Sequence, residues 1–117
     1  MGAVAFGMAY RFVRAKPKLD HLPELRDRLE SGDIERMEPF GRAMTKSLTD
    51  ARFDPKTGEA VWVEEDYCSP PLAMEREEVL DDYFETVTVV EENVDEAAGW
   101  KRIEDYPSLW EQMTSEA

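Results

Sequence analysis

The chain has 117 residues, 42% hydrophobic and 35% charged, with a formal net charge of −13, which is one domain's worth of sequence with enough apolar material to fold and no room for a second core. Its longest apolar run, residues 2–10, falls far short of the roughly 20 residues of a membrane span, so no membrane association is expected. Lys and Arg are scattered without forming a basic stripe, which argues against nucleic acid as a ligand.

In chain order, Val4, Phe6, Met8, Tyr10 and Phe12 occupy alternate positions and predict a strand with one face on a core. Ala3, Ala5, Gly7, Ala9 and Arg11 alternate with them, leaving a face of small residues that is open to close packing or to a partner. Arg11 and Arg14 stand where a leader peptide would be cleaved, so no targeting segment is read, and Met8 is an alternative start. Pro17 ends the strand.

Asp20 is the expected N-cap of a first helix, with Pro23 in its first turn, Leu19, Leu22, Leu25 and Leu29 as its stripe, and Gly32 as its C-cap. Asp33 is expected to cap a short turn holding Ile34 and Met37, and Pro39 to open a second helix with Phe40, Met44, Leu48 and Ala51 along one side. Residues 46–53 fit either the end of that helix or a strand. Asp54, Pro55 and Gly58 give a hairpin turn, so the segment around Phe53 should pair with the start of a strand over residues 59–67.

Ser69 and Pro70 then predict a helix start, with Leu72, Ala73, Val79, Leu80, Tyr83 and Phe84 inward and Glu75, Glu77, Glu78, Asp81 and Asp82 toward water. Residues 86–90 are rich in β-branched side chains and predict another strand. The expected class is therefore α+β: a small antiparallel or mixed sheet of three to four strands with helices on one face. If residues 46–53 are extended, the order becomes strand, helix, strand, strand, helix, strand, which is ferredoxin-like. A single domain is expected over residues 1–94. Residues 95–117 form an aromatic-rich tail with Trp100, Ile103, Tyr106, Leu109, Trp110 and Met113, expected to dock on the domain or on a partner subunit. That tail and the first strand together predict a homodimer.

The acidity is uneven. Residues 1–58 hold eleven Lys/Arg against nine Asp/Glu, whereas residues 59–117 hold three against eighteen. A solvated acidic surface is the plainer explanation, and a site for a basic protein partner the alternative.

Candidate chemistry lies in one stretch. Along the third strand Trp62, Glu64, Asp66 and Cys68 share one face, and Val61, Val63, Glu65 and Tyr67 the other. Glu64 and Asp66 are the pair to consider for acid/base work or for a hard cation, but a solvated strand face ranks ahead of both, and no metal is expected. Cys68 is the only cysteine, so there is no internal disulfide, a reducing cytoplasmic compartment is expected, and a structural role ranks ahead of a nucleophilic one. His21, the only histidine, cannot build a histidine-rich zinc site. Phosphate-binding glycine loops and serine-hydrolase elbows are missing, so no cofactor is expected. The leading expectation is a self-associating binding module for a small molecule or protein. The alternatives are a small enzyme with a cleft built from Glu64, Glu65, Asp66, Tyr67 and Cys68, and an acidic inhibitor or immunity-type protein.

Overall fold

The structure, a computed structural model, describes residues 10–116, with side chains described as far as Gln112. Val4, Phe6 and Met8 of the expected first strand, the small residues between them, and the side chain of Met113 lie outside the described residues. Four strands, β1 (Tyr10–Pro17), β2 (Arg52–Asp54), β3 (Glu59–Glu65) and β4 (Phe84–Glu91), form one antiparallel sheet in the order β2-β3-β1-β4. Helices α1 (Leu22–Ser31) and α2 (Gly41–Thr49) connect β1 to β2. A helical run connects β3 to β4: α3 (Ala73–Glu75), a π-helical segment (Arg76–Leu80) and α4 (Asp81–Tyr83). Two further helices, α5 (Glu96–Arg102) and α6 (Leu109–Glu116), follow β4. The class is α+β, as the pattern of strands and helices predicts.

Both alternatives for residues 46–53 contribute: α2 runs to Thr49, and a short strand begins at Arg52. The hairpin forms at the predicted place, with Gly58 at φ 76° and Asp54 opposite Glu59. The helix starts differ from expectation. A 3-10 turn over Leu19–His21 precedes α1, so Asp20 is not its cap and Leu19 is left exposed. Pro23 lacks an amide hydrogen and is best placed in the first turn, which sets the start at Leu22. Pro39 follows a cis peptide bond, and α2 begins two residues later at Gly41. Ser69 and Pro70 are likewise joined by a cis bond and do not open a helix; α3 begins only at Ala73, after Leu72 in the left-handed region at φ 63°.

The principal core lies on the sheet face carrying Val13, Ala15, Ala60 and Trp62, where α1, α2 and residues 72–83 contribute Leu22, Leu25, Met44, Leu48, Leu72, Leu80 and Tyr83. The rings of Trp62 and Phe84 pack tilted at 46°, with 5.3 Å between centroids. The opposite face is covered as well: Phe12, Val61 and Val63 pack with Val94 and Ile103, and α5 comes so close that a Cβ on Gly99 would stand 2.8 Å from Val63. Tyr10 and Phe12 therefore face this smaller cluster, while the principal core takes the other parity of β1, Arg11, Val13 and Ala15. From the tail, Leu109 enters the principal core and the Trp110 indole donates to the Leu48 carbonyl at 2.8 Å. No helix among the described residues is long and apolar enough to cross a membrane.

Two glycines are required for different reasons. A Cβ on Gly41 would meet the Ile34 carbonyl oxygen at 2.3 Å, a backbone atom that cannot yield, whereas one on Gly58 meets nothing within 4 Å and costs only the positive φ. We predict that Gly41→Ala lowers unfolding stability in urea by roughly 3 kcal/mol and Gly58→Ala by about 1 kcal/mol. Equal losses would show that the Gly41 contact is not tight.

Candidate functional site

Beyond Trp62, the inner face of β3 turns polar. Trp62 Nε1 donates to Glu64 Oε1 at 2.9 Å, and Glu64 is 0% exposed. Asp66, one residue past the strand end, is 2% exposed. Its carboxylate accepts from Arg11 Nε at 3.2 Å, from the Leu72 amide at 2.8 Å and from the Cys68 amide at 3.2 Å. Arg11 also donates to the Glu92 carbonyl at 2.8 Å. The solvated-face expectation for Glu64 and Asp66 is thus overturned: the strand carries both acids inward because they continue the parity of Trp62.

Glu75, expected to face water, is 1% exposed. The reason is the late helix start. With Asp66 holding the Leu72 amide, the first helical turn begins at Ala73, which rotates Glu75 inward, and the wider π-helical turn that follows lets Val79 and Leu80 stay buried with it. The Cys68 thiol donates to Glu75 Oε1 at 3.6 Å. Donor atoms of Asp66, Cys68 and Glu75 all lie within 4.8 Å of one another.

These groups form the floor of a groove of 630 Å³ between the end of β3 and α2. Pro39, Phe40, Ala43 and Met74 give it apolar walls, and Arg42, Lys46, Glu65 and Tyr67 stand around the rim. Glu65, Asp66, Tyr67 and Cys68, singled out from the sequence, all line it, while Glu64 lies beneath. Arg11, Phe40, Met74 and Glu75 were not singled out. Arg11 shares the inward parity of Val13, which is a legible signal; the inward turn of Glu75 had none. A larger groove of 710 Å³ lies between α2 and α5, but its lining is surface charge of both signs with Trp100, and none of its lining residues is buried. The smaller groove, with buried polar groups converging on it, is the candidate site.

The electrostatics follow from burial. Burial pushes Glu75 up to about 7, with the charge of Asp66 adding to it. Burial and the facing charge of Glu75 push Glu64 well above the ordinary carboxyl range. Burial acts on Asp66 in the same sense but is outweighed by the Leu72 and Cys68 amides and by Arg11, which hold it below its usual value. Burial also pushes the Cys68 thiol up, and a hydrogen bond to Glu65 pushes Tyr67 up to about 12, so neither is a ready nucleophile at neutral pH. Comparison of the chain with family models, with curated proteins and with solved structures finds no match in any of the three.

A carboxyl whose folded value is raised stabilises the fold below its unfolded value, about 4.3 for Glu, and loses that contribution as pH rises through the folded value. For Glu75 the window runs from there to about 7. We predict that Glu64→Gln, which keeps an acceptor for Trp62 and gives Glu75 a donor, raises stability at pH 8 by roughly 1 kcal/mol and has little effect at pH 4. Asp66→Asn leaves the buried Arg11 without its anionic partner and should cost about 3 kcal/mol. Glu65→Gln, on the rim, should change stability by no more than about 0.5 kcal/mol. Urea unfolding at the two pH values checks all three; destabilisation by Glu64→Gln at pH 8 would show that Glu64 is held by a partner cation.

Proposed function

We propose that the protein is a binding module for a small organic molecule, taken up in the 630 Å³ groove at the end of β3. The observation that carries this is the division of the groove into apolar walls, Pro39, Phe40, Ala43 and Met74, and a polar floor of Asp66, Cys68 and Glu75. Small-molecule sites are concave, mostly apolar and furnished with a few fixed polar groups, and their volumes span a range that includes this one. The apolar body of the ligand lies against Phe40 and Ala43, and its polar end reaches the floor. The buried acids turn into a concavity instead of spreading over a convex face, which favours this reading over an acidic inhibitor. The raised thiol and phenol favour binding over nucleophilic chemistry at Cys68 or Tyr67. The strand order and the alternation of strands and helices from β1 to β4 support a ferredoxin-like arrangement as the scaffold.

Phenethylamine and phenylacetate are suitable probes because each joins one aromatic ring to one charged end. NMR of the full chain should show saturable shifts at Ala43, Met74 and Phe40 for at least one of them. Ala43→Trp, which fills the wall, should abolish the shifts while leaving the fold intact. Probes that move no groove resonance up to their solubility limit would overturn the proposal.

A further inference from the structure

We propose that Asp66, Cys68 and Glu75 bind one divalent transition-metal ion of borderline softness, Zn²⁺ before others, with Glu64 as the acid directly behind them. The site shares the floor of the groove with the small-molecule proposal but does not rest on it. The first support is spacing. The three donor atoms lie within 4.8 Å of one another, and Cys68 Sγ stands 3.6 Å from Glu75 Oε1. Thiolate and carboxylate arms of about 2.3 and 2.0 Å on a tetrahedral Zn²⁺ place their donor atoms about 3.5 Å apart.

The second support is charge. Among the described residues, the buried carboxylates Asp54 and Asp66 each have an Arg partner, Arg14 at 2.9 Å and Arg11 at 3.2 Å, whereas Glu64 and Glu75 form no ion pair. Buried acids are retained when they are paired or coordinate a metal. The third support comes from Glu64, which is not one of the three donors. Glu64 is 0% exposed, one of its oxygens is taken by Trp62, and the other, Oε2, meets no protein donor and faces the carboxyl of Glu75, with which it can share only a proton or a cation. A metal ion held by Glu75 supplies the positive charge that a shared proton provides in the metal-free chain.

The donor set also selects the ion. Asp66 accepts from Arg11 and from the Leu72 and Cys68 amides, and the Cys68 thiol is its further partner, so the position open to a metal is the one that thiol vacates as it becomes a thiolate. A thiolate disfavours Mg²⁺ and Ca²⁺, and the carboxylates disfavour Cu⁺, which points to a borderline divalent ion, with Zn²⁺ first and Co²⁺ as its spectroscopic substitute. Binding converts the Cys68 thiol to thiolate and releases that proton to solvent; no electron moves.

The test is a Co²⁺ titration of the reduced full chain after treatment with a chelator. The expected result is a near-ultraviolet sulfur-to-metal charge-transfer band that saturates at one equivalent and is erased by Zn²⁺. Cys68→Ser should lose the band and Glu75→Gln should weaken binding by about tenfold or more; Glu78→Gln, an exposed acid on the same helical run, should bind as the parent does. A measurement on the unaltered protein stands beside these: one equivalent of Zn²⁺ should slow labelling of Cys68 by a thiol reagent. Co²⁺ bound without the band, labelling unaffected by Zn²⁺, or equal losses in Glu78→Gln and Glu75→Gln would overturn the proposal. Aromatic probes that bind while the band is absent overturn the metal alone, and a band without probe binding overturns the organic ligand alone.

Discussion

Three donors converge on the carboxylate of Asp66: the Arg11 guanidinium from β1, the Cys68 amide and the Leu72 amide. Much of the site follows from that convergence. The ion pair ties the end of β3 to its neighbour in the sheet, and the two amides hold residues 66–72 as a loop that would otherwise be free to extend the helix. Leu72 accepts a left-handed backbone at φ 63°, a conformation that costs a bulky residue roughly 1–2 kcal/mol, because its amide is held by Asp66 and its side chain is fully buried. A buried ion pair recovers little net stability against the cost of desolvation. Its role here is to fix which residues face inward.

The inward set includes one that is costly. With the helical run starting at Ala73, Glu75 enters the interior beside Glu64, and the π-helical turn over Arg76–Leu80 keeps Val79 and Leu80 in the principal core. A strictly α-helical continuation from the same start would turn one of them away. π-helical turns of this kind recur at functional sites. The fold thus carries two acids without cationic partners, Glu75 at the floor of its groove and Glu64 beneath it, while Asp54, buried elsewhere, is matched by Arg14 and Asp66 by Arg11. Accommodation of the unmatched pair is what distinguishes this end of the sheet from the rest of the core.

The scaffold was legible in the sequence where local chemistry decides. Gly58 after Asp54 and Pro55 gave the hairpin, Gly32 the end of α1, and the β-branched run the strand β4. The parity of β3 correctly grouped Trp62, Glu64 and Asp66 on one face. What parity cannot supply is what packs against that face, so the burial of Glu64 and Asp66 is not readable from it. The burial of Val61 and Val63 on the opposite face required knowing that α5 returns to cover it, a contact between residues about 36 apart in sequence, from Val63 to Gly99. Helix starts near Pro39 and Pro70 fall a few residues later than the prolines suggest, because proline marks a boundary without fixing which side of it begins the helix. At Pro70 that small displacement hid Glu75, whose inward turn depends on a tertiary contact, the Asp66 carboxylate with the Leu72 amide, and on no periodicity.

Among the described residues, Glu64 and Glu75 are buried together without a cationic partner. Carboxyl-carbon NMR of the metal-free chain, followed across pH, measures this directly. Burial and mutual repulsion predict a Glu75 midpoint of about 7 and a Glu64 that stays protonated well beyond the ordinary glutamate range. Ionisation of both near the ordinary value of about 4.3 would contradict it.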